Sequence, residues 1–278
     1  MSDVRPIGVF DSGVGGLTVL GELRRTLPGE RLIYLADLAH FPYGPRYQHE
    51  VREFALRIID HLVDKDVKLV VIACNTASAA ALNTARERFD VPIVGVIAPG
   101  AQAAVQATRN GRIAVISTEG TFASQEYLHA IKEANPAVGV LAKAAPELVD
   151  VVEAGDAQSP RAEEALRGIL EEILAWGADT LVLGCTHYPL LRPAIQRVAG
   201  RRLRVVDSAE TTAARVRRVL RVNRIAAGDG DGGAPLLLVT EQPQRFTRTA
   251  SLLFGESLPP PTVLDLWSEP APVRAVGT

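Results

Sequence analysis

Cys74 and Cys185 are the only thiols in the chain, and each stands at the end of an apolar run. Leu69-Val70-Val71-Ile72-Ala73 leads into Cys74-Asn75-Thr76, and Leu181-Val182-Leu183-Gly184 leads into Cys185-Thr186-His187-Tyr188-Pro189. Runs of this length, rich in β-branched residues, read as buried strands of a parallel sheet. The carboxyl end of such a strand, beside a helix start, is where open α/β sheets bind ligands. A lone free cysteine is ordinarily a small buried hydrophobe. Two in matching contexts, each followed by hydrogen-bonding side chains, point instead to thiol chemistry. Facing each other across a small substrate, one thiolate removes a proton from a carbon while the opposite thiol donates one to the other face. The stereocentre inverts, and in reverse the roles exchange. A free thiol titrates at about pH 8.5, so each needs a neighbour. Asp11, after the first apolar run, and His187, two residues beyond Cys185, are the available helpers.

The elements that must position these groups alternate along the chain. Ile7–Phe10 is a first strand, and Leu17, Leu20, Leu23 and Leu27 follow at helical spacing until Pro28-Gly29. Leu32–Ala36 is a strand ending at Asp37. The breaker-rich loop Ala39–Pro45 belongs at the surface. Val51, Phe54, Ile58, Leu62 and Val63 mark an amphipathic helix, the Cys74 strand leads into a helix over Ala77–Phe89, and Pro92–Val96 is a strand. A second series repeats the pattern: helix Ala101–Thr108, strand Arg112–Ile116, helix Phe122–Glu133, a short strand near Val138–Ala142, and helices at Glu147–Glu153 and Arg161–Trp176. The Cys185 strand, a helix from Leu190 and strand Leu203–Val206 complete it. Asp207-Ser208 caps helix Ala209–Val222, a Gly- and Asp-rich loop covers Ala227–Ala234, and strand Leu236–Thr240 precedes helix Pro243–Phe254. The tail beyond Leu258 carries no clear signal.

Strands alternating with helices predict an α/β fold with mostly parallel sheets flanked by helices. The doubling predicts two pseudo-symmetric lobes, each offering one cysteine to a shared cleft, a favoured kind of ligand site.

Composition narrows the rest. A hydrophobic share of 47% with 22% charged residues is ordinary for a globular protein. The net charge of −2 leaves no basic footprint for nucleic acid. Two cysteines make no disulfide framework, and no run has the length of a membrane span. The N-terminus Met1–Pro6 lacks a signal-peptide core. A cytoplasmic location is expected.

Other chemistries fit less well. Gly13 and Gly15 invite a dinucleotide loop with Asp37 as the ribose acid, but the pattern requires glycine at Thr18 and leaves both cysteines idle. A zinc site from Cys74, Cys185, His187 and Asp11 lacks a close-spaced ligand pair, so no metal is expected. A non-catalytic amino-acid-binding protein would need no thiol at either strand end.

Four motifs carry a family resemblance: Asp11-Ser12-Gly13-Val14-Gly15-Gly16-Leu17-Thr18, Pro42-Tyr43-Gly44, Ala73-Cys74-Asn75-Thr76-Ala77-Ser78 and Leu183-Gly184-Cys185-Thr186-His187-Tyr188-Pro189-Leu190. Together they resemble the signatures of the glutamate racemases, over roughly residues 7 to 220. The resemblance implies cofactor-independent interconversion of L- and D-glutamate, without pyridoxal phosphate, supplying D-glutamate for peptidoglycan. It also implies a homodimer and a chain that returns to the first lobe after about residue 208, so that residues 1–98 and 209–278 form one lobe and 99–208 the other. Carried over, Cys74 deprotonates the D-enantiomer and Cys185 the L-enantiomer, assisted by Asp11 and His187, with Glu153 a third acidic helper. Substrate contacts fall on Asp11, Ser12, Tyr43, Gly44, Asn75, Thr76, Thr118, Thr121, Thr186 and His187. Aspartate racemases usually carry Glu in place of His187. Ser117 and the Asp37–Phe41 approach depart from the family pattern.

Overall fold

The computed structural model describes residues 2–228, 230–255 and 258–268. Parts of the expected first lobe, residues 1, 229, 256–257 and 269–278, lie outside the described residues, and with them Asp229 of the Gly-rich loop.

The chain runs β1 (Ile7–Asp11), α1 (Leu17–Thr26), β2 (Leu32–Ala36), α2 (Gln48–Asp64), β3 (Leu69–Ile72), α3 (Asn75–Arg88), β4 (Ile93–Gly95) and α4 (Ile97–Ala107). It continues through β5 (Arg112–Ser117), α5 (Glu119–Ser124), α6 (Glu126–Ala134), β6 (Gly139–Ala144), α7 (Glu147–Glu153), α8 (Pro160–Ala175) and β7 (Thr180–Gly184). A 3-10 turn at Tyr188–Leu191, α9 (Arg192–Ala199), β8 (Arg204–Asp207), α10 (Ser208–Asn223), β9 (Leu236–Val239), α11 (Pro243–Phe254) and β10 (Thr262–Val263) follow.

The strands form two parallel sheets, ordered β10-β9-β2-β1-β3-β4 and β6-β5-β7-β8. Strands β9 and β10 lie in the first sheet, so the chain does return to it after visiting the second. Alternation along each strand feeds two apolar layers. Ile7 and Val9 face Leu17, Leu20, Val216 and Phe246, whereas Phe10 and Ile72 face Val51, Ile58 and Ala81. In the second sheet Ala114 and Ile116 pack with Leu166 and Ile195, and Ile113 and Val115 with Ala101 and Ile131. Each fully buried aliphatic side chain contributes about 1.5–3 kcal/mol, which is what holds the strand ends still.

Each sheet reverses its winding once. From β1 the chain goes to β2 on one side and β3 on the other; from β5 it goes to β6 and then β7. Asp11 and Cys74 lie at the carboxyl edge of the first switch point, Ser117 and Cys185 at that of the second.

Several expectations need correction. Helix α3 begins at Asn75 rather than Ala77, because the Cys74 sulfur accepts the Ala77 N–H and caps it. No regular helix opens at Leu190: Pro189 at the start of the turn and Pro193 remove N–H donors, leaving a 3-10 turn before α9. The single helix expected over Phe122–Glu133 is two, broken at Gln125, whose φ is +57°. Helix α4 starts at Ile97, ahead of Ala101, since Pro99 sits within its first turn where a missing N–H costs nothing. The tail contains β10, which pairs with β9 through Thr262–Leu238 and Val263–Val239. The 39–45 loop is superficial except at Tyr43, which is 1% exposed.

Candidate active site

Both thiols open onto one cavity of about 400 Å3 between the sheets. Its wall also includes Ser12, Tyr43, Gly44, Asn75, Thr76, Thr118, Thr186 and His187. Asp11, Thr121 and Glu153, named in advance with these residues, do not reach the wall; each supports a residue that does.

On the β1–β3 side, Asp11 is fully buried. Its Oδ2 accepts the Gly13 N–H at 3.2 Å and the Gly16 N–H at 2.9 Å. The tight turn is why Gly16 carries no side chain: a Cβ there would lie 2.5 Å from that of Asp11. Burial raises the Asp11 pKa, opposed by the His187 charge and these N–H groups. The Cys74 thiol donates to the Ser12 hydroxyl at 3.8 Å and receives the Ala77 N–H at 3.5 Å. Burial pushes this thiol well up and the Asp11 charge pushes it further, against the pull of Ala77 and Ser12. Asp11 thus holds the turn, and its charge disfavours the Cys74 thiolate. A raised thiol pKa favours the protonated form of Cys74, the form that donates a proton.

On the β5–β7 side the neighbour of the thiol is an imidazole. The Nδ1 of His187 lies 3.8 Å from the Cys185 sulfur, and its Nε2 lies 2.8 Å from Glu153 Oε1. Burial works against charging this ring, but its bonds to Cys185 and Glu153 outweigh burial and push it up to about 10. An imidazolium beside sulfur attracts the negative charge that Cys185 bears after losing a proton.

The remaining wall carries amide and hydroxyl side chains, and neither Lys nor Arg occurs on it among the described residues. The Asn75 amide accepts the Tyr127 O–H at 2.8 Å, which orients its buried Nδ2 without a partner. The Thr76 and Thr118 hydroxyls are 3.0 Å apart, with Thr121 behind them at 3.2 Å from each. Tyr43 differs from expectation, because its hydroxyl donates to Asp37 at 2.7 Å rather than into the cavity. The carbonyl of Gly44 accepts the Gly120 N–H at 2.9 Å, tying this loop to α5.

Glu147, Asp150 and Val149 also line the mouth and were missed. A signal existed: Glu147, Asp150 and Glu153 recur every three residues along one face of α7. Phe41, Pro42, Pro45, Glu119 and Pro146 join the wall through loop paths that no periodicity announces. Among the described residues no group of three or more His, Cys, Asp or Glu is placed to hold a metal ion, and no helix is long and apolar enough to cross a membrane.

The pattern of the Asp/Glu/hydantoin racemases matches residues 7–216. A glutamate racemase of Geobacter metallireducens is 44% identical over 254 residues, covering 91% of this chain and 94% of its own length. A crystal structure of a glutamate racemase isoform from Bacillus anthracis superposes with a TM-score of 0.87 at 37% identity, covering 94% of this chain and 98% of that one. The Francisella tularensis glutamate racemase, solved in complex with D-glutamate, gives a TM-score of 0.88 at 29% identity over 96% of this chain and 100% of its own.

Proposed function

The chain belongs to the Asp/Glu/hydantoin racemase family, and from that premise we propose that it interconverts L- and D-glutamate by two-base proton transfer at Cα. The observation that carries the reading is that the only two thiols line one cavity, Cys74 beside the Ser12 hydroxyl and Cys185 beside the His187 ring.

With L-glutamate bound, the Cys185 thiolate takes the Cα proton as the Cα–H electron pair moves onto the carbon and its carboxylate. Cys74 then gives its thiol proton to the opposite face. The product is D-glutamate, with Cys185 now a thiol and Cys74 a thiolate; D-glutamate runs the sequence backwards. The imidazolium of His187, held by Glu153, offsets charge on the Cys185 side. Asp11 keeps the Ser12–Gly16 turn against Cys74. Ser12, Asn75, Thr76, Thr118 and Thr186, with the backbone of Tyr43 and Gly44, supply the donors for the substrate carboxylates, and Thr121 braces Thr76 and Thr118. No pyridoxal phosphate is required in this sequence of steps. D-Glutamate formed this way supplies peptidoglycan synthesis.

Residues 1–98 with 209–278, and 99–208, act in this reading as the two lobes that close on the substrate. A cytoplasmic homodimer is part of the same proposal.

The test is incubation of the protein with L-glutamate in deuterium oxide, following chirality and Cα deuterium for wild type, Cys74→Ser and Cys185→Ser. Wild type should racemise with deuterium incorporation, and either replacement should abolish or severely slow it. Full activity in a single variant would be incompatible with two opposed thiols.

A further inference from the structure

Asp37 lies at the end of β2, wholly buried, and takes no part in the steps above. Its carboxylate is nevertheless the meeting point of three chain segments. Oδ2 accepts the Tyr43 O–H at 2.7 Å and lies 2.9 Å from His40 Nδ1, which must carry the proton in that contact. Oδ1 accepts the Thr240 hydroxyl at 2.9 Å and the Trp267 indole N–H at 3.0 Å. Thr240 also receives the Ala39 N–H at 3.0 Å, so both ends of the 39–43 stretch are held to one acid.

Trp267 comes from the C-terminal segment that follows β10. The segment adds a strand beside β9, and Leu264 N–H continues the ladder to the Val239 carbonyl at 2.8 Å. The Trp267 ring then stands edge-on to His40 at 4.3 Å and to Phe54 at 5.5 Å, with the Arg57 guanidinium 5.0 Å from its centre. The indole therefore closes the solvent side of the Asp37 cluster, while Tyr43 on the other side forms cavity wall. An apolar cover needs no N–H aimed at a buried carboxylate, and a charge-assisted bond of this kind is directional.

We propose that Asp37 is a positioning residue for the Tyr43-Gly44 wall, and that Trp267 of the C-terminal strap sets it through that carboxylate. The strap is thus part of substrate binding although none of its described residues lines the cavity. The thiols, anchored at β3 and β7, are outside its reach, so the strap governs binding more than proton transfer. The kinetic part of this inference rests on the glutamate reading above; the mechanical part does not.

Trp267→Phe keeps the aromatic wedge and removes only the N–H. Expected are a KM for both glutamate enantiomers raised about threefold to tenfold, kcat within twofold, a Tm lowered by only a few degrees, and faster amide hydrogen exchange over residues 39–46. In a Tyr43→Phe background, where the link from Asp37 to the wall is already cut, the same change should have little further effect on KM. Unchanged KM, unchanged exchange, or KM effects of the two replacements that simply add would each overturn the proposal. A wild-type protein that does not racemise glutamate would sink the functional reading instead, and the exchange measurement would still judge the strap.

Discussion

Thr186 donates a hydrogen bond to Asp11 across 3.5 Å, so the residue after one thiol touches the acid that supports the other. Thr18 reinforces the contact from α1, donating to the Thr186 carbonyl at 3.2 Å. The two half-sites are thus one interlocked unit, and proton transfer across a single carbon depends on that interlock because small misplacements of reacting groups are costly.

Gly15 is where the interlock is tightest. A Cβ at this position would stand 2.5 Å from Thr186 Oγ1 and 2.6 Å from His187 Nδ1. His187 has little room to yield, being held at both nitrogens. Gly15→Ala should lower kcat/KM about 100-fold while destabilising the fold by only about 1–3 kcal/mol. Steady-state kinetics beside thermal unfolding check this; activity near that of wild type would show that the lobes separate without penalty.

Glu153 should govern the charge of His187. Glu153→Gln removes the carboxylate, so the His187 pKa should fall from about 10 towards the ordinary 6.5, readable by NMR titration of its ring. The sign for stability follows from linkage. A pKa raised by folding stabilises fully below 6.5, and this stabilisation is lost as pH rises towards about 10. The stability gap between wild type and variant should therefore be widest in mild acid and close in alkali. A gap that widens with pH would contradict the assignment.

Asn75 tests how the cavity holds an anion. Its Nδ2 is buried without a partner because Tyr127 occupies Oδ1. Asn75→Asp replaces that donor with a negative charge and should raise the KM for glutamate about 10- to 100-fold. Tyr127→Phe keeps Nδ2 in place and should cost less. Equal effects would mean that Asn75 matters only through its bond to Tyr127.

Asp11 raises the Cys74 pKa through its charge, second only to burial. Asp11→Asn in a Cys185→Ser background should therefore speed alkylation of Cys74 by iodoacetamide at mildly alkaline pH. In the parent protein the same change should slow racemisation, since the turn is less firmly held. Slower alkylation would show that Asp11 helps form the thiolate after all.

Much of the architecture was legible because local patterns and tertiary demands agree. Strands β1, β2, β3, β5 and β7 are short apolar runs that end in polar turns, and their length and flanking turns favour strands buried on both faces. Helices α7 and α11 fell at their expected ends because Pro146 and Pro243 start them. Where boundaries moved, a local bond decided: the Cys74 cap on α3 and the left-handed Gln125 between α5 and α6. β10 went unseen because two residues in a proline-rich tail have no periodicity, only an exposed sheet edge to pair with.

The sequence by itself determined the thiols, their strand-end placement and the α/β doubling, since these follow from residue type and spacing along the chain. Tertiary structure alone decided that Asp11 supports the site from beneath, that Glu153 meets the far nitrogen of His187, and that Tyr43 turns its hydroxyl to Asp37. Those are contacts between segments far apart in the chain, with directions set by packing. Hydrogen-bond direction and burial are properties of the assembled neighbourhood, and no local pattern encodes them.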